Sequence, residues 1–192
     1  MLQRNRLFAF LILIVWSASV ASAQVQKLYT PQQEHRLLDR FAGSWTFEKM
    51  SAPNDGSESE SMGSGTVQGE MLGGFFVVCR WAGNLYGGEY KAVQTLGFDV
   101  DKSVYKGAWV DSVMSYQWPL TGKYDNESKE FIVQSSGPSP NGSTMTFRER
   151  YQFVSNDSIT IIAEMLSGEK WSKFMTTTLN RNKVAKSVSN NK

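Results

Sequence analysis

The side chains that could do chemistry in this sequence are charged groups placed in otherwise apolar, strand-like segments. In the segment 145–153, alternation along a strand puts Glu149 on the same side as Phe147 and Tyr151. The arginines of the segment fall on the opposite side, so we predict that Glu149 faces the interior. A buried carboxylate must be paired or protonated. Such a group can act as a general acid or base, or it can orient the polar end of a ligand.

Asp111 and Arg80 are the other charged residues that could share an interior with Glu149. Both sides of the strand around Trp109 mix polar and apolar residues, and we interpret Trp109 and Asp111 as facing inward. Arg80 precedes Trp81 in an apolar strand and is a candidate counter-charge for either carboxylate. One interpretation is a satisfied polar network that fixes the strand register. The other is a ligand site whose apolar contacts would be Trp81, Trp109, Phe147 and Tyr151.

The residue sets of common enzymes and metal sites are missing. The chain has one histidine, His35, and one cysteine, Cys79, which cannot supply the usual ligands of zinc. The G-x-S-x-G motif of α/β-hydrolases is absent. No histidine follows His35, which disfavours a histidine-ligated haem in the interior, although a tyrosine or methionine ligand stays open. We therefore predict no metal and no cofactor, with His35 partly exposed or capping a helix and Cys79 a buried, inert thiol.

These side chains must be positioned by strands, because short alternating or apolar runs separated by turn residues continue from Trp45 onward. A short helix is predicted first, starting at Thr30-Pro31 and ending at Gly43. Antiparallel strands joined by short turns favour an all-β, up-and-down closed barrel, since closure removes exposed edges. The ten predicted strands are 44–50, 64–72, 74–82, 90–98, 103–112, 114–124, 129–136, 143–155, 158–167 and 170–180.

The first 23 residues read as a secretory signal peptide. Arg4 and Arg6 precede an apolar run over 7–15, and Ala21-Ser22-Ala23 is a typical cleavage site. We expect a flexible segment at 24–29, the barrel domain at 30–181 and a disordered tail at 182–192. The apolar run is too short for a membrane helix. The sequence thus predicts a soluble protein without a membrane anchor, periplasmic or secreted.

The charge balance gives no reason to expect nucleic acid as a partner. The chain has 20 basic and 18 acidic residues, and two of the basic ones, Arg4 and Arg6, lie in the leader. The mature chain is therefore formally neutral, whereas nucleic-acid binding depends largely on clustered positive charge.

The combination of several short motifs resembles the domain of unknown function 1579 family, a group of lipocalin-like (calycin) β-barrels. The motifs are EHRLLDRFAGSW at 34–45, GEMLGGFFV at 69–77, LGFDVDKSVYKGAWVDSVM at 96–114, GKYD at 122–125 and TLNR at 178–181. The resemblance implies a barrel with an interior cavity and no established activity. It also implies that the early tryptophan pairs with a late arginine. Gly43, Trp45 and Arg181 match that arrangement, with a structural role in closing the barrel.

The leading functional prediction is a non-enzymatic exported barrel that binds a small, mostly apolar molecule. An enzyme that uses Glu149 or Asp111 as a general acid or base is the first alternative. The second is an interaction or stress module without a cavity ligand, in which a mobile loop at 52–65 contacts another protein.

Overall fold

The structure is a computed structural model that describes residues 29–139 and 141–182. The predicted signal peptide, the segment 24–28 and the tail from residue 183 onward lie outside the described residues. No helix within the described part is long and apolar enough to cross a membrane. The described chain forms one 3₁₀ helix, Gln33–Phe41, and ten strands: β1 Gly43–Ser51, β2 Ser61–Leu72, β3 Phe76–Leu85, β4 Gly88–Asp99, β5 Val104–Asp111, β6 Trp118–Asp125, β7 Glu130–Pro138, β8 Thr144–Phe153, β9 Ser158–Ser167 and β10 Lys170–Arg181.

The ten strands form a closed antiparallel barrel, which confirms the predicted fold class. Each strand pairs with its neighbours in the chain, and β1 also pairs with β10. Successive side chains along a strand point alternately into the barrel and out to solvent. In β6, Trp118 and Leu120 are buried, while Pro119 and Thr121 are exposed. β2 begins at Ser61, so the end of the predicted loop at 52–65 is strand instead.

The helix begins at Gln33, later than the predicted start at Thr30-Pro31, and it is of the 3₁₀ type. The backbone N–H of His35 donates to the Gln32 carbonyl at 3.2 Å, an i to i+3 bond that tightens the first turn. The Nδ1 atom of His35 accepts a hydrogen bond from the Gln32 N–H at 2.9 Å. The histidine therefore caps the helix. It is buried rather than partly exposed, with its ring edge-on to Phe75 and Phe98.

The helix lies over one end of the barrel and fills it. The ring of Phe41 meets those of Phe131, Tyr151 and Phe153 at centroid distances of 6.1, 5.5 and 5.6 Å. The hydroxyl of Tyr105, in β5, donates to the Glu34 carbonyl at 2.8 Å. Aromatic packing of this kind leaves the barrel closed at the helix end.

The seam between β1 and β10 is held by Trp45 and Arg181. The guanidinium carbon of Arg181 lies 4.0 Å from the centroid of the Trp45 ring, and the indole N–H donates to the Phe41 carbonyl at 3.1 Å. Arg181 also donates to the Ala42 carbonyl at 2.7 Å. Gly43, with φ at +107°, leaves room for the arginine, since a Cβ there would lie 2.5 Å from its Nη1 atom. These contacts join the helix, the first strand and the last strand.

A charged network covers the outer face where β7, β8 and β9 meet. Glu164 accepts hydrogen bonds from Arg148 at 2.7 Å and from Arg150 at 3.1 Å, and Arg150 also donates to Glu130 at 2.8 Å. Burial alone would raise the pKa of Glu164, but the two arginines outweigh that effect and lower it. The network therefore stabilises the ionised carboxylate.

Trp45→Ala should destabilise the protein by about 3 to 5 kcal/mol, because it removes a fully buried indole and leaves a cavity at the seam. The free energy of unfolding is measured by urea denaturation followed by circular dichroism. Leu72→Ala, at a side chain that is 64% exposed, is the control and should change stability by less than about 0.5 kcal/mol. A Trp45→Ala variant as stable as this control would show that the contact of Arg181 with the Trp45 ring does not stabilise the pairing of β1 with β10.

Glu164→Gln should lower stability at pH 7 by roughly 1 to 3 kcal/mol, through loss of charge-assisted hydrogen bonds. Because the pKa of Glu164 is lower in the folded state, its stabilising effect is present above its ordinary pKa of 4.5 and is lost as the pH falls through the lowered value. Urea denaturation of both proteins between pH 7 and pH 3 should show the difference shrinking in acid. The control is Glu169→Gln at an exposed carboxylate, which should change stability at pH 7 by less than about 0.5 kcal/mol. A difference between Glu164→Gln and the wild type that stays constant with pH would contradict this explanation.

Candidate functional site

The end of the barrel away from the helix is hollow. β5 runs from Tyr105, which contacts the helix, to Trp109 and Asp111, which line a cavity of about 250 Å³. Pockets that hold small molecules typically measure about 300 to 1,000 Å³, so this one suits a small ligand. Its apolar walls are formed by Met62, Leu85, Trp109, Trp118, Leu120, Val133, Phe147, Ala163, Phe174 and Met175.

Large apolar side chains surround the opening of the cavity. Tyr86, in the turn between β3 and β4, is 74% exposed, and Val113 and Met114, just after β5, are also exposed. Exposed apolar groups gathered at one opening are typical of a ligand entrance or a contact surface.

A hydrogen-bonded chain of three residues separates the cavity from the filled end. The Gln94 amide donates to the Tyr151 hydroxyl at 2.9 Å, and that hydroxyl donates to Oε2 of Glu149 at 2.5 Å. Burial raises the pKa of Tyr151 well above its usual value, and the charge of Glu149 raises it further, so the phenol remains a donor. The second oxygen of Glu149 receives no hydrogen bond from the described residues. Glu149 therefore presents a free acceptor on the cavity wall.

Asp111 fixes the backbone at the rim of the cavity, the opening beside Val113 and Met114. One carboxylate oxygen accepts the indole N–H of Trp109 at 2.9 Å. The other accepts the backbone N–H groups of Val113 and Met114, both at 2.9 Å. With three donors on its two oxygens, Asp111 is engaged in holding the rim and has little capacity left as a general base.

Lys49 is a cavity residue that our sequence reasoning missed. It is only 6% exposed, and its Nζ atom lies 5.4 Å from the ring centroid of Trp81, 5.9 Å from that of Phe47 and 5.8 Å from that of Tyr90. None of the described residues forms a hydrogen bond or an ion pair with it. Alternation from Trp45 through Phe47 to Lys49 is the signal that could have identified it.

The surroundings of Lys49 disfavour its charged form. Burial among aromatic rings lowers the pKa of the ammonium group, and the negative charges of Glu149 and Asp111 offset this only in part. Burial also raises the pKa of the neighbouring Tyr90, which lines the cavity.

The prediction that Arg80 is the interior counter-charge is wrong. Arg80 is exposed on the outer face of β3, between the buried residues Cys79 and Trp81. Two adjacent residues in a strand point to opposite faces, and the inward position belongs to Trp81. The interior cation is Lys49, on β1.

The structure brings most of the other predicted ligand residues together. Trp109, Asp111, Phe147 and Glu149 line the cavity. Tyr151 lies one layer deeper, beneath Glu149. The Trp81 ring packs against that of Trp109 at 5.5 Å, and its indole N–H has no hydrogen-bond partner within the described part of the chain.

Cys79 and the acidic residues form no metal site in the described structure. Burial raises the pKa of the Cys79 thiol to about 12, so the thiolate is disfavoured and the group is unreactive. Within residues 29–139 and 141–182, no three histidine, cysteine or acidic side chains cluster as metal ligands.

The barrel is similar to several solved structures, of which two are described here. Rv2717c from M. tuberculosis has a TM-score of 0.55 and 12% sequence identity, covering 80% of this chain and 100% of that one. The S-type phycobiliprotein lyase CPES from Guillardia theta has a TM-score of 0.55 and 15% identity, covering 80% and 95%. At these identities the likeness concerns the fold alone. No curated protein matches the chain significantly, whereas the profile of a family described as "Protein of unknown function (DUF1579)" matches residues 30–181.

Lys49→Met should stabilise the protein at pH 7 by about 1 to 3 kcal/mol, the cost that mutational data give for burying a polar group without a hydrogen bond. The folded-state pKa of Lys49 lies below its ordinary value of 10.5. The unfolded chain therefore binds more protons between these two values, and wild-type stability rises with pH there. The advantage of the variant should accordingly shrink toward pH 10.

Urea denaturation at pH 7 and pH 10 measures both effects. Lys91→Met is the control, since Lys91 is an exposed lysine paired with Glu89, and it should change stability by less than about 0.5 kcal/mol. A Lys49→Met variant less stable than wild type at pH 7 would show that attraction to the cavity carboxylates outweighs desolvation.

Proposed function

The chain belongs to the DUF1579 family, whose function is unknown, and we propose that it binds a small, mostly apolar molecule inside its barrel. The observation that supports this proposal is the cavity of about 250 Å³, which opens at one end of the barrel and is walled by apolar and aromatic side chains. Cavities with apolar walls and a few convergent polar groups are the usual form of small-molecule sites.

The arrangement of the lining supports a defined orientation for the ligand. The apolar body would lie against Trp109, Trp118 and Phe147, near the middle and rim of the cavity. The polar end would face Glu149 and Lys49, whose unused hydrogen-bonding capacity is directed at the same space. The similarity to Rv2717c and to the phycobiliprotein lyase is one of fold, so the proposal rests on the cavity.

We also propose that the protein is exported. The support is the leader sequence, in which two arginines precede the apolar run 7–15 and the small-residue cleavage site at Ala21-Ser22-Ala23. An exported carrier could collect its ligand outside the cytoplasm.

N-phenyl-1-naphthylamine, a neutral apolar dye whose fluorescence rises when it leaves water, is a suitable probe of the cavity. We expect saturable binding to the wild type. Ala163→Phe should weaken it by at least about tenfold, equivalent to 1.4 kcal/mol, because Ala163 is a buried cavity residue and the new ring would occupy the ligand's space.

The matched control is Ala82→Phe, which makes the same change at an exposed position on the outer face of β3. Circular dichroism establishes that both variants are folded. Equal dye binding by the two variants would place the dye outside the barrel and would contradict the proposed function.

A further inference from the structure

We propose that Lys49 is a nucleophile that forms a reversible imine with a neutral, apolar aldehyde or ketone bound in the cavity. This inference rests on the proposed function, because it names the class of ligand that the same cavity would take. It starts from an unusual observation, a lysine that is almost fully buried and has no hydrogen-bond or ion-pair partner among the described residues.

The position of Lys49 favours the reactive form of its side chain. The Nζ atom is surrounded by the rings of Phe47, Trp81 and Tyr90 and lines the open space of the cavity. A charged ammonium there would have three donors without a protein acceptor, whereas a neutral amine loses less on desolvation. Only the neutral amine has the lone pair that attacks a carbonyl carbon, and buried lysines are the usual imine-forming residues of enzymes.

The charges in the cavity disfavour an anionic ligand. Glu149 and Asp111 both line it, so a ligand such as a carboxylate would face two like charges. An aldehyde or ketone adds no charge, and its oxygen can accept hydrogen bonds.

Two neighbouring groups are suited to the chemistry of imine formation. The Tyr90 hydroxyl, which has no hydrogen-bond partner in the described structure, could donate to the carbonyl oxygen. The free oxygen of Glu149 could accept and return a proton during the reaction. Glu149 would also be the counter-ion of the protonated imine, since its charge already acts on Lys49.

The reaction balances without an oxidant or a reductant. The amine nitrogen attacks the carbonyl carbon, the C=O π bond breaks and a carbinolamine forms after proton transfer from nitrogen to oxygen. The carbinolamine oxygen then takes a second proton and leaves as water while the C=N bond forms. Hydrolysis reverses these steps and releases the ligand, so the imine would hold the molecule without consuming it.

The test uses 2-naphthaldehyde, a neutral apolar aldehyde, with sodium cyanoborohydride to trap the imine as a stable amine. The folded protein is treated at pH 7, and the modified lysines are identified and timed by peptide mapping. We expect Lys49 to be labelled at least about tenfold faster than the exposed residues Lys91 and Lys106, because the cavity holds the bound aldehyde beside the Lys49 amine, whereas a surface lysine meets it only by diffusion. N-phenyl-1-naphthylamine should slow labelling of Lys49 and leave the exposed lysines unaffected.

Variants separate the imine from simple binding. Lys49→Met should lose the fast-labelled site and keep the slow labelling of the surface lysines. If this variant does not fold, the peptide map of the wild type with and without the dye still tests the proposal. Glu149→Gln should slow labelling of Lys49 by more than it weakens dye affinity.

The outcomes distinguish the two proposals. Dye binding with Lys49 labelled no faster than Lys91 would overturn the imine and leave the carrier function standing. Failure of the dye to bind, together with slow labelling of Lys49, would overturn both.

Discussion

The stack of Arg181 on Trp45 is the interaction on which the barrel depends. Nine of the ten strand pairings in the described sheet join segments that follow each other in the chain, so a short connection already holds each pair together. The pairing of β1 with β10 has no such connection. Arg181 compensates by binding the ring of Trp45 and the Ala42 carbonyl at once. Without this seam, two strands would expose unpaired edges and the interior would open to water.

Closure of the barrel creates an interior that the side chains divide into two unlike halves. Aromatic residues fill the half beneath the helix, where Phe41 packs on three other rings. The other half remains open and contains Lys49, Glu149 and Asp111. Charged groups in a closed core would cost several kcal/mol each if they lacked partners. Their presence in the open half is consistent with a space that exchanges its contents with solvent or ligand.

The fold could be predicted from sequence because alternation and turn residues mark each strand independently. The observed boundaries of the strands differ from the predicted ones by a few residues. The helix begins later than predicted, where His35 binds the Gln32 backbone, an interaction that propensity does not encode. The positively charged residue of the interior is harder to predict from the sequence. The apolar neighbours of Arg80 suggest an interior position, yet the inward position in β3 belongs to Trp81. Lysines are rarely buried, so residue type alone predicts an exposed Lys49, although the residue follows Trp45 and Phe47 in strict alternation. The volume of the cavity depends on how side chains from distant strands pack together, and no local sequence pattern encodes that packing.

The seam also governs the order in which the protein can fold. β10 is the last strand of the barrel to be synthesised, and its partner β1 is the first, so residues such as Trp45 and Arg181 are far apart in the chain when they pair. Loop-closure entropy makes such distant pairings slow compared with hairpin formation. Hairpins can form while the chain is still leaving the ribosome. The cavity can form only after residue 181 has also left the ribosome and β10 can pair with β1. Barrel closure is therefore the expected rate-limiting event, and until it occurs β1 offers an unpaired edge to other chains.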